Sequence, residues 1–414
     1  MKKRLGIGIS VGLVLIVWSC KEASDETKGK GLEEKHMVFP IENPTSENSA
    51  LPRLYSNGKE LFLSWVTSED SLSTLYYSKF NQTTWSQPEA IISGTDWFVN
   101  WADFPQIAEN KGNILTSFLQ KSASGTYTYD VKLNLYNDST KTWKKNFLLH
   151  SDGTQSEHGF VSIKPIGNAF FVSWLDGRNT KSVDSGHQTH KTGGGAMTLR
   201  GAMVGFNGEI FNEMELDDRV CDCCNTAVVT YGTGMISVAY RDRSEEEIRD
   251  ISLKTLGMHN RIGSKTIGND QWKIEGCPVN GPAIDVYENS IALAWFTGAN
   301  EEGKVNVAFS PNYQNPFRID SGNATGRVDI VMFSETEATV LWMEPKGDEE
   351  VIQLMKINQL GEKGTPITIA KTSSERASGF PQLERVADTL YVAWTISTKS
   401  ISKIEMAAVP LTDL

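Results

Sequence analysis

One spacing constrains this chain more than any other feature in it. Seven short apolar segments, at 61–66, 114–119, 169–175, 235–240, 290–296, 338–343 and 389–395, each carry an aromatic residue at or near their end: Trp65, Phe118, Trp174, Tyr240, Trp295, Trp342 and Trp394. The intervals between these aromatics are 53, 56, 66, 55, 47 and 52 residues. A period near 50 built from short alternating segments is the mark of a β-propeller, whose blades are small four-stranded sheets packed around an axis. A repeat also removes the need for the two or three domains that 414 residues would otherwise suggest.

Most units supply four strand-like segments; the fifth reads as 283–287, 291–296, 305–310 and 317–320. The last unit has only three, at 382–386, 390–395 and 404–409, and the segment 37–41 ahead of the first unit is the natural donor of its outer strand. Closure between the two ends leaves no bare sheet edge to recruit another chain. The expected fold is therefore all-β: a propeller of four-stranded blades over residues 36–414, closed by an N-terminal strand. Seven blades is the first reading, and six follows if one unit is miscounted.

The N-terminus reads as a targeting segment. Met1-Lys2-Lys3-Arg4 is basic, and the apolar run 5–18 is too short to span a bilayer comfortably. It ends in Val17-Trp18-Ser19-Cys20, which resembles the bacterial lipobox. The expectation is a signal peptide at 1–19, lipidation of Cys20 and a polar tether at 20–35. That would leave the protein lipid-anchored in the bacterial cell envelope, at the outer membrane and exposed at the surface. An ordinary secretory peptide with an incidental cysteine is the alternative. A net charge of −11 argues against nucleic acid as a partner.

In a four-stranded blade, the loop into strand one and the loop from strand two to strand three share one end of the propeller. Loops into first strands hold Asp103, then His150, Asp152, Glu157 and His158, then Arg219 with the Cys221-Asp222-Cys223-Cys224 run, then Cys277, Arg327 and Asp329. Loops leaving second strands hold Asp176-Gly177-Arg178, then Arg241-Asp242-Arg243, Glu247, Arg249 and Asp250. Nearly all the unusual chemistry falls at one end, which marks that end as the expected pocket. The loop at about 179–196, with His187 and His190, is enlarged and is either a lid over that end or a plain insertion.

Packing rarely calls for three cysteines in four positions. Outside the cytoplasm, Cys221, Cys223, Cys224 and Cys277 are candidates for disulfides. They are equally four soft ligands suited to Cu(I) or Zn(II), with His187 or His190 as substitutes. Unpaired structural thiols are the third outcome.

Two turns carry a degenerate S-x-D-x-G-x-T-W hairpin, the Asp box of sialidase-type blades: 78–85 keeps Ser78, Thr84 and Trp85, and 136–143 keeps Asp138, Thr142 and Trp143. With Trp101-Ala102-Asp103-Phe104-Pro105, Glu157-His158-Gly159-Phe160, Met197-Thr198-Leu199-Arg200, Arg219-Val220-Cys221-Asp222-Cys223-Cys224, Arg241-Asp242-Arg243-Ser244 and Gly276-Cys277-Pro278-Val279-Asn280-Gly281-Pro282, the chain resembles a bacterial family of BNR/sialidase-like propeller proteins. Members are often labelled exo-α-sialidase, and the likeness covers roughly residues 50–410. It implies three arginines on a substrate carboxylate, a tyrosine nucleophile activated by Glu, and an Asp acid/base. The residues that match are Asp103 as acid, Glu157 as base, and Arg178, Arg241 and Arg327 as the clamp. His158, Asp176, Arg200, Arg219, Arg243, Arg249 and Asp250 are expected to bind substrate. No tyrosine of the later blades falls at this end. The implied ligand is an acidic glycan or other small anion, with sialidase-like glycoside hydrolysis as the activity. A thiolate metal or redox module and a non-catalytic interaction scaffold are the competing functions.

Overall fold

The computed structural model describes residues 38–180, 195–257, 261–398 and 401–414. The expected signal segment at 1–19, Cys20, the expected tether at 20–35, and His187 and His190 lie outside the described residues. Seven antiparallel four-stranded sheets follow one another along the chain. Blades 1 to 6 cover 49–94, 107–148, 158–220, 227–267, 283–318 and 326–372. Blade 7 combines Gln382–Val386, Thr389–Ser397 and Ser402–Pro410 with Phe39–Ile41, which pairs antiparallel to its last strand with Phe39 opposite Ala408. There are seven blades, not six, and the N-terminal strand closes the ring.

Each second strand is covered on both sides by its own neighbours and by the next blade, so period-two alternation gives way to continuous burial. Ala169–Asp176 is buried along its whole length. The marker aromatics fill the gaps between blades: Trp174, Trp295 and Trp342 are 0% exposed, and Trp394, the most open of the set, is 5% exposed.

The Asp-box hairpins lie where the spacing puts them, between third and fourth strands. In blade 1, Asn81 Oδ1 accepts the N–H groups of Thr83 and Thr84 at 3.0 and 2.8 Å, and Trp85 packs on Phe80. In blade 2, Asn137 Oδ1 does the same for Ser139 and Thr140, while Trp143 crosses to Tyr77 of blade 1. In both turns the acceptor is an Asn next to the motif's Asp position, since the geometry needs an oxygen acceptor and not a charge, and Asp138 pairs instead with Lys141.

The inner strands surround a central channel lined by residues of six blades, with Phe104 and Gln106 from the loop into blade 2 completing the ring. At the opposite end of those strands from the Asp boxes, the inner strands of blades 1, 3 and 6 share one irregularity. Each breaks register with a bulge, between Ala50 and Arg53, Gly159 and Ser162, and Gly326 and Asp329. Each places a residue at positive φ: Leu51 at 57°, Phe160 at 53° and Arg327 at 51°. A bulge turns one N–H out of the ladder, and in two blades the preceding blade takes it up. Asp103 Oδ1 accepts from Phe160 N–H and Asn280 Oδ1 from Arg327 N–H, both at 2.7 Å. Further along the channel, Asp285 accepts from Met332 N–H at 2.7 Å and Asp329 from Leu383 N–H at 2.8 Å. Blade is tied to blade by carboxyl or amide caps on backbone donors, and two of them, Asp285 and Asp329, share the channel with the cations Arg53 and Lys164.

Candidate functional site

The mouth at the bulged end carries two clusters. The first is acidic. Tyr129, which opens the third strand of blade 2, donates its hydroxyl to Glu157 Oε1 at 2.7 Å and lies 3.4 Å from Asp103 Oδ2. Asp103 is buried, Tyr129 is 1% exposed, and Glu157 is half-buried. Burial pushes the Asp103 carboxyl up to about 7, against the hydrogen bonds from Phe160 and Tyr129. Burial raises Glu157 to about 8, aided by the negative charges of Asp103, Asp222 and Cys277. Both are carboxylic acids that hold a proton near neutrality. Phe98 stacks on Tyr129 at 4.1 Å and closes the pair from one side. Gly159 closes it from another, since a Cβ there would lie 1.9 Å from Asp103 Oδ2.

Beside this pair, His150 and His158 stack face to face at 3.7 Å. Asp152 receives His150 Nδ1 at 2.6 Å and lies 3.4 Å from His158 Nε2, and Asp130 sits 3.8–3.9 Å from both rings. Asp176 is 0% exposed and fully engaged by Arg178 Nε and Nη2 and by Trp174 Nε1. His158 and Asp176, expected to touch substrate, are both 0% exposed. Desolvation lowers the His150 pKa, reinforced by His158.

The second cluster is the cysteine run. A tight turn at Asp222-Cys223 brings the ends of the run together, with Cys221 Sγ 3.1 Å from Cys224 Sγ and 4.0 Å from Cys223 Sγ. Cys221 and Cys224 thus have C-x-x-C spacing, with Cys223 as an extra sulfur inside it. Cys277 arrives from the loop before blade 5, close enough to Cys223 to raise the pKa of its thiol. Burial opposes ionisation of Cys221, but hydrogen bonds from the Cys223 and Cys224 thiols, together with the Arg249 guanidinium, hold it well below the ordinary thiol range. Cys223 and Cys224 are raised, the first chiefly by its hydrogen bond to Cys221 and the second chiefly by burial.

The arginines call for a correction. Arg241 is 1% exposed, sits over Trp272, and gives its Nε, Nη1 and Nη2 to the carbonyls of Asn280, Arg249 and Phe296. Arg327 donates to the carbonyls of Ser374, Glu375 and Gly379 and to Ser378 Oγ, over the ring of Trp101. Both guanidinium groups join blades and leave no open fork for a substrate carboxylate. Arg178 pairs with Asp176 and Glu213, Arg200 with Glu213 and Glu215, Arg243 with Asp222 and Glu247, and Arg249 with Glu247. Asp250 caps the N–H groups of Gln271 and Trp272 and is a loop brace, not a ligand contact. Arg219 is half-buried, and its guanidinium has no ion pair among the described residues.

Tyr129 is the functional candidate that the sequence did not single out. It sits at the first position of a third strand in an early blade, where a buried strand aromatic is the ordinary reading. Only the fold sets its hydroxyl between Asp103 and Glu157.

No protein-family model matches the chain, and no curated protein matches it. Among solved structures, the chain is similar to a Penicillium chrysogenum α-L-arabinanase at 13% identity, over 92% of this chain and 98% of that one, with a TM-score of 0.45. It is similar to a polysaccharide lyase at 8% identity, over 95% and 96% of the two chains, with a TM-score of 0.47. It is also similar to the phage phi92 endosialidase at 9% identity, over 91% of this chain and 69% of that one, with a TM-score of 0.48.

The close approach at Gly159 gives a direct test. Gly159→Ala is expected to lower stability by roughly 2 kcal/mol or more through overpacking against Asp103, read as a lower denaturation midpoint. Gly153→Ala, at a glycine with nothing within 4 Å of its added Cβ but a φ of +69°, separates collision from backbone strain. Equal losses in the two variants would contradict the packing argument.

Proposed function

We propose that the mouth of the propeller is a glycan site, and that Glu157 delivers a proton to the leaving oxygen of a glycosidic bond. The observation that carries this reading is the Asp103–Tyr129–Glu157 chain at 3.4 and 2.7 Å, with Glu157 the member nearest solvent. A carboxyl raised to about 8 keeps its proton at neutral pH, as a general acid must. Tyr129 donates to Oε1, which leaves Oε2 as the oxygen to carry the proton. Tyr129 itself is sealed beneath Phe98, so its part is to orient Glu157, and the acceptor of the sugar in this reading is water.

The rim supports a carbohydrate. Tyr127 is 53% exposed and meets Phe98 edge-on at 6.1 Å, offering apolar ring faces of the kind that the C–H faces of sugars cover. An acidic sugar finds few open guanidinium forks, because Arg241 and Arg327 are filled by backbone carbonyls and the other paired arginines by carboxylates. A neutral or weakly charged glycan therefore suits the mouth at least as well as a sialoside.

In a screen of neutral and acidic glycans, the wild-type protein is expected to bind and cleave at least one class. Glu157→Gln should lower kcat by roughly 100-fold or more while leaving binding in place. Activity should fall on the alkaline side with an apparent pKa near 8, as Glu157 loses its proton. Absence of both binding and cleavage across the screen would overturn the reading, whereas binding without cleavage would reduce it to a recognition module.

We propose further, from the lipobox-like Val17-Trp18-Ser19-Cys20, that the chain is lipid-anchored in a bacterial envelope. Radiolabelled fatty acid fed to expressing cells should label the wild type and not Cys20→Ser. Equal labelling of the two, or none, would count against the anchor.

A further inference from the structure

Three thiols, Cys221, Cys223 and Cys224, converge ahead of the first strand of blade 4, and a fourth, Cys277, is brought near Cys223 by the loop before blade 5, on a part of the mouth that the glycan reading does not use. Their meeting is built by three local devices. The backbone of Cys221 is fixed by its N–H donating to Arg241 O at 3.0 Å. The turn at Asp222-Cys223 then folds Cys224 back, and Arg243 holds Asp222 at 3.1 Å. The loop carrying Cys277 is docked onto the run at Gly281, where a Cβ would lie 2.1 Å from Asn225 O, so only a glycine permits the approach.

We propose that Cys221, Cys223, Cys224 and Cys277 form a single-ion thiolate site for a soft d¹⁰ cation, Zn(II) or Cu(I). The geometry carries this. Tetrahedral coordination at about 2.3 Å per metal–sulfur bond places sulfurs roughly 3.8 Å apart. Cys221 lies 3.1 Å from Cys224 and 4.0 Å from Cys223, and all three sulfurs fall within 4.8 Å of one another. A disulfide needs about 2.05 Å between two of them, shorter than the 3.1 Å of the nearest pair.

The surroundings fit an anionic thiolate complex. Arg249, 1% exposed, donates Nη1 to Cys221 Sγ at 3.4 Å, and its Nε is buried with no hydrogen-bond partner among the described residues. Donors on the sulfurs are the usual outer support of thiolate ligands, fixing their orientation and offsetting their charge. Cys221 and Cys224 are buried, Cys223 is half-buried and Cys277 is exposed. An ion therefore has three ligands waiting in the protein and a fourth at the surface, which sets a route of entry past Cys277. As each metal–sulfur bond forms, the thiols that still carry protons release them to solvent, so loading is accompanied by acid release.

The test uses the full chain purified anaerobically under reductant, with Zn(II) and Cu(I) offered separately against a competing chelator. The expected result is one ion per chain for at least one of the two metals, with measurable proton release in weak buffer. Cys223→Ser and Cys277→Ser should each weaken that binding by roughly 100-fold, while the metal-free variants melt as the wild type does. Neither serine replaces a fully buried group, so folding is preserved and the comparison stays interpretable. Failure of the reduced protein to bind either metal, or binding unchanged in both variants, overturns the site. Two disulfides in the air-exposed protein that reopen only on unfolding would also overturn it, in favour of a covalent staple. None of these outcomes depends on glycan cleavage.

Discussion

The structure depends on how a propeller ties one blade to the next at the end where its inner strands bulge. A backbone N–H pushed out of its ladder must find an acceptor or cost about as much as a lost hydrogen bond. Here the acceptor comes from the preceding blade: Asp103 for Phe160, and Asn280 for Arg327. The same bond that joins two blades buries a carboxyl at the rim of the channel. Asp103 lies beneath Gly159, with Tyr129 and Glu157 beside it. The chemistry of the mouth is in this sense a by-product of closure, because a carboxyl placed to cap a strand becomes hard to ionise.

Two consequences follow for the electrostatics of that end. Most of its arginines are spent internally, on backbone carbonyls in the case of Arg241 and Arg327 and on neighbouring carboxylates for the others. The surplus negative groups respond in different ways. Carboxyls without a cation, Asp103 and Glu157, stay protonated through burial. Asp176, against Arg178, is held below the usual carboxylate range although burial works in the opposite direction. Protonated and ionised acids thus coexist around one mouth, the division of labour that acid-assisted bond cleavage uses.

The fold was legible because it repeats. Seven aromatics near a 50-residue period specified seven blades, and the three-stranded last unit required an outer strand from the N-terminus, which Phe39–Ile41 supplies. Loop alternation, which follows from strand count alone, sorted the loops between the two ends and put the loop of Cys277 on the end that carries the Cys221–Cys224 run. Residue roles were far less visible. Nothing in the local sequence separates an arginine that grips a ligand from one whose fork is filled by carbonyls, as at Arg327, since the partners lie about 50 residues away. Tyr129 was hidden for the complementary reason: its neighbours place it in a buried strand, and only blade packing delivers Glu157 to its hydroxyl.

The central claim is that the mouth holds buried carboxyls which keep their protons near neutral pH. The most direct measurement is a carboxyl-carbon NMR titration of the wild-type protein, assigned with Asp103→Asn and Glu157→Gln. The account predicts that the pair titrates with apparent midpoints near 7 and 8. Two carboxyls that both ionise below pH 5 would contradict it.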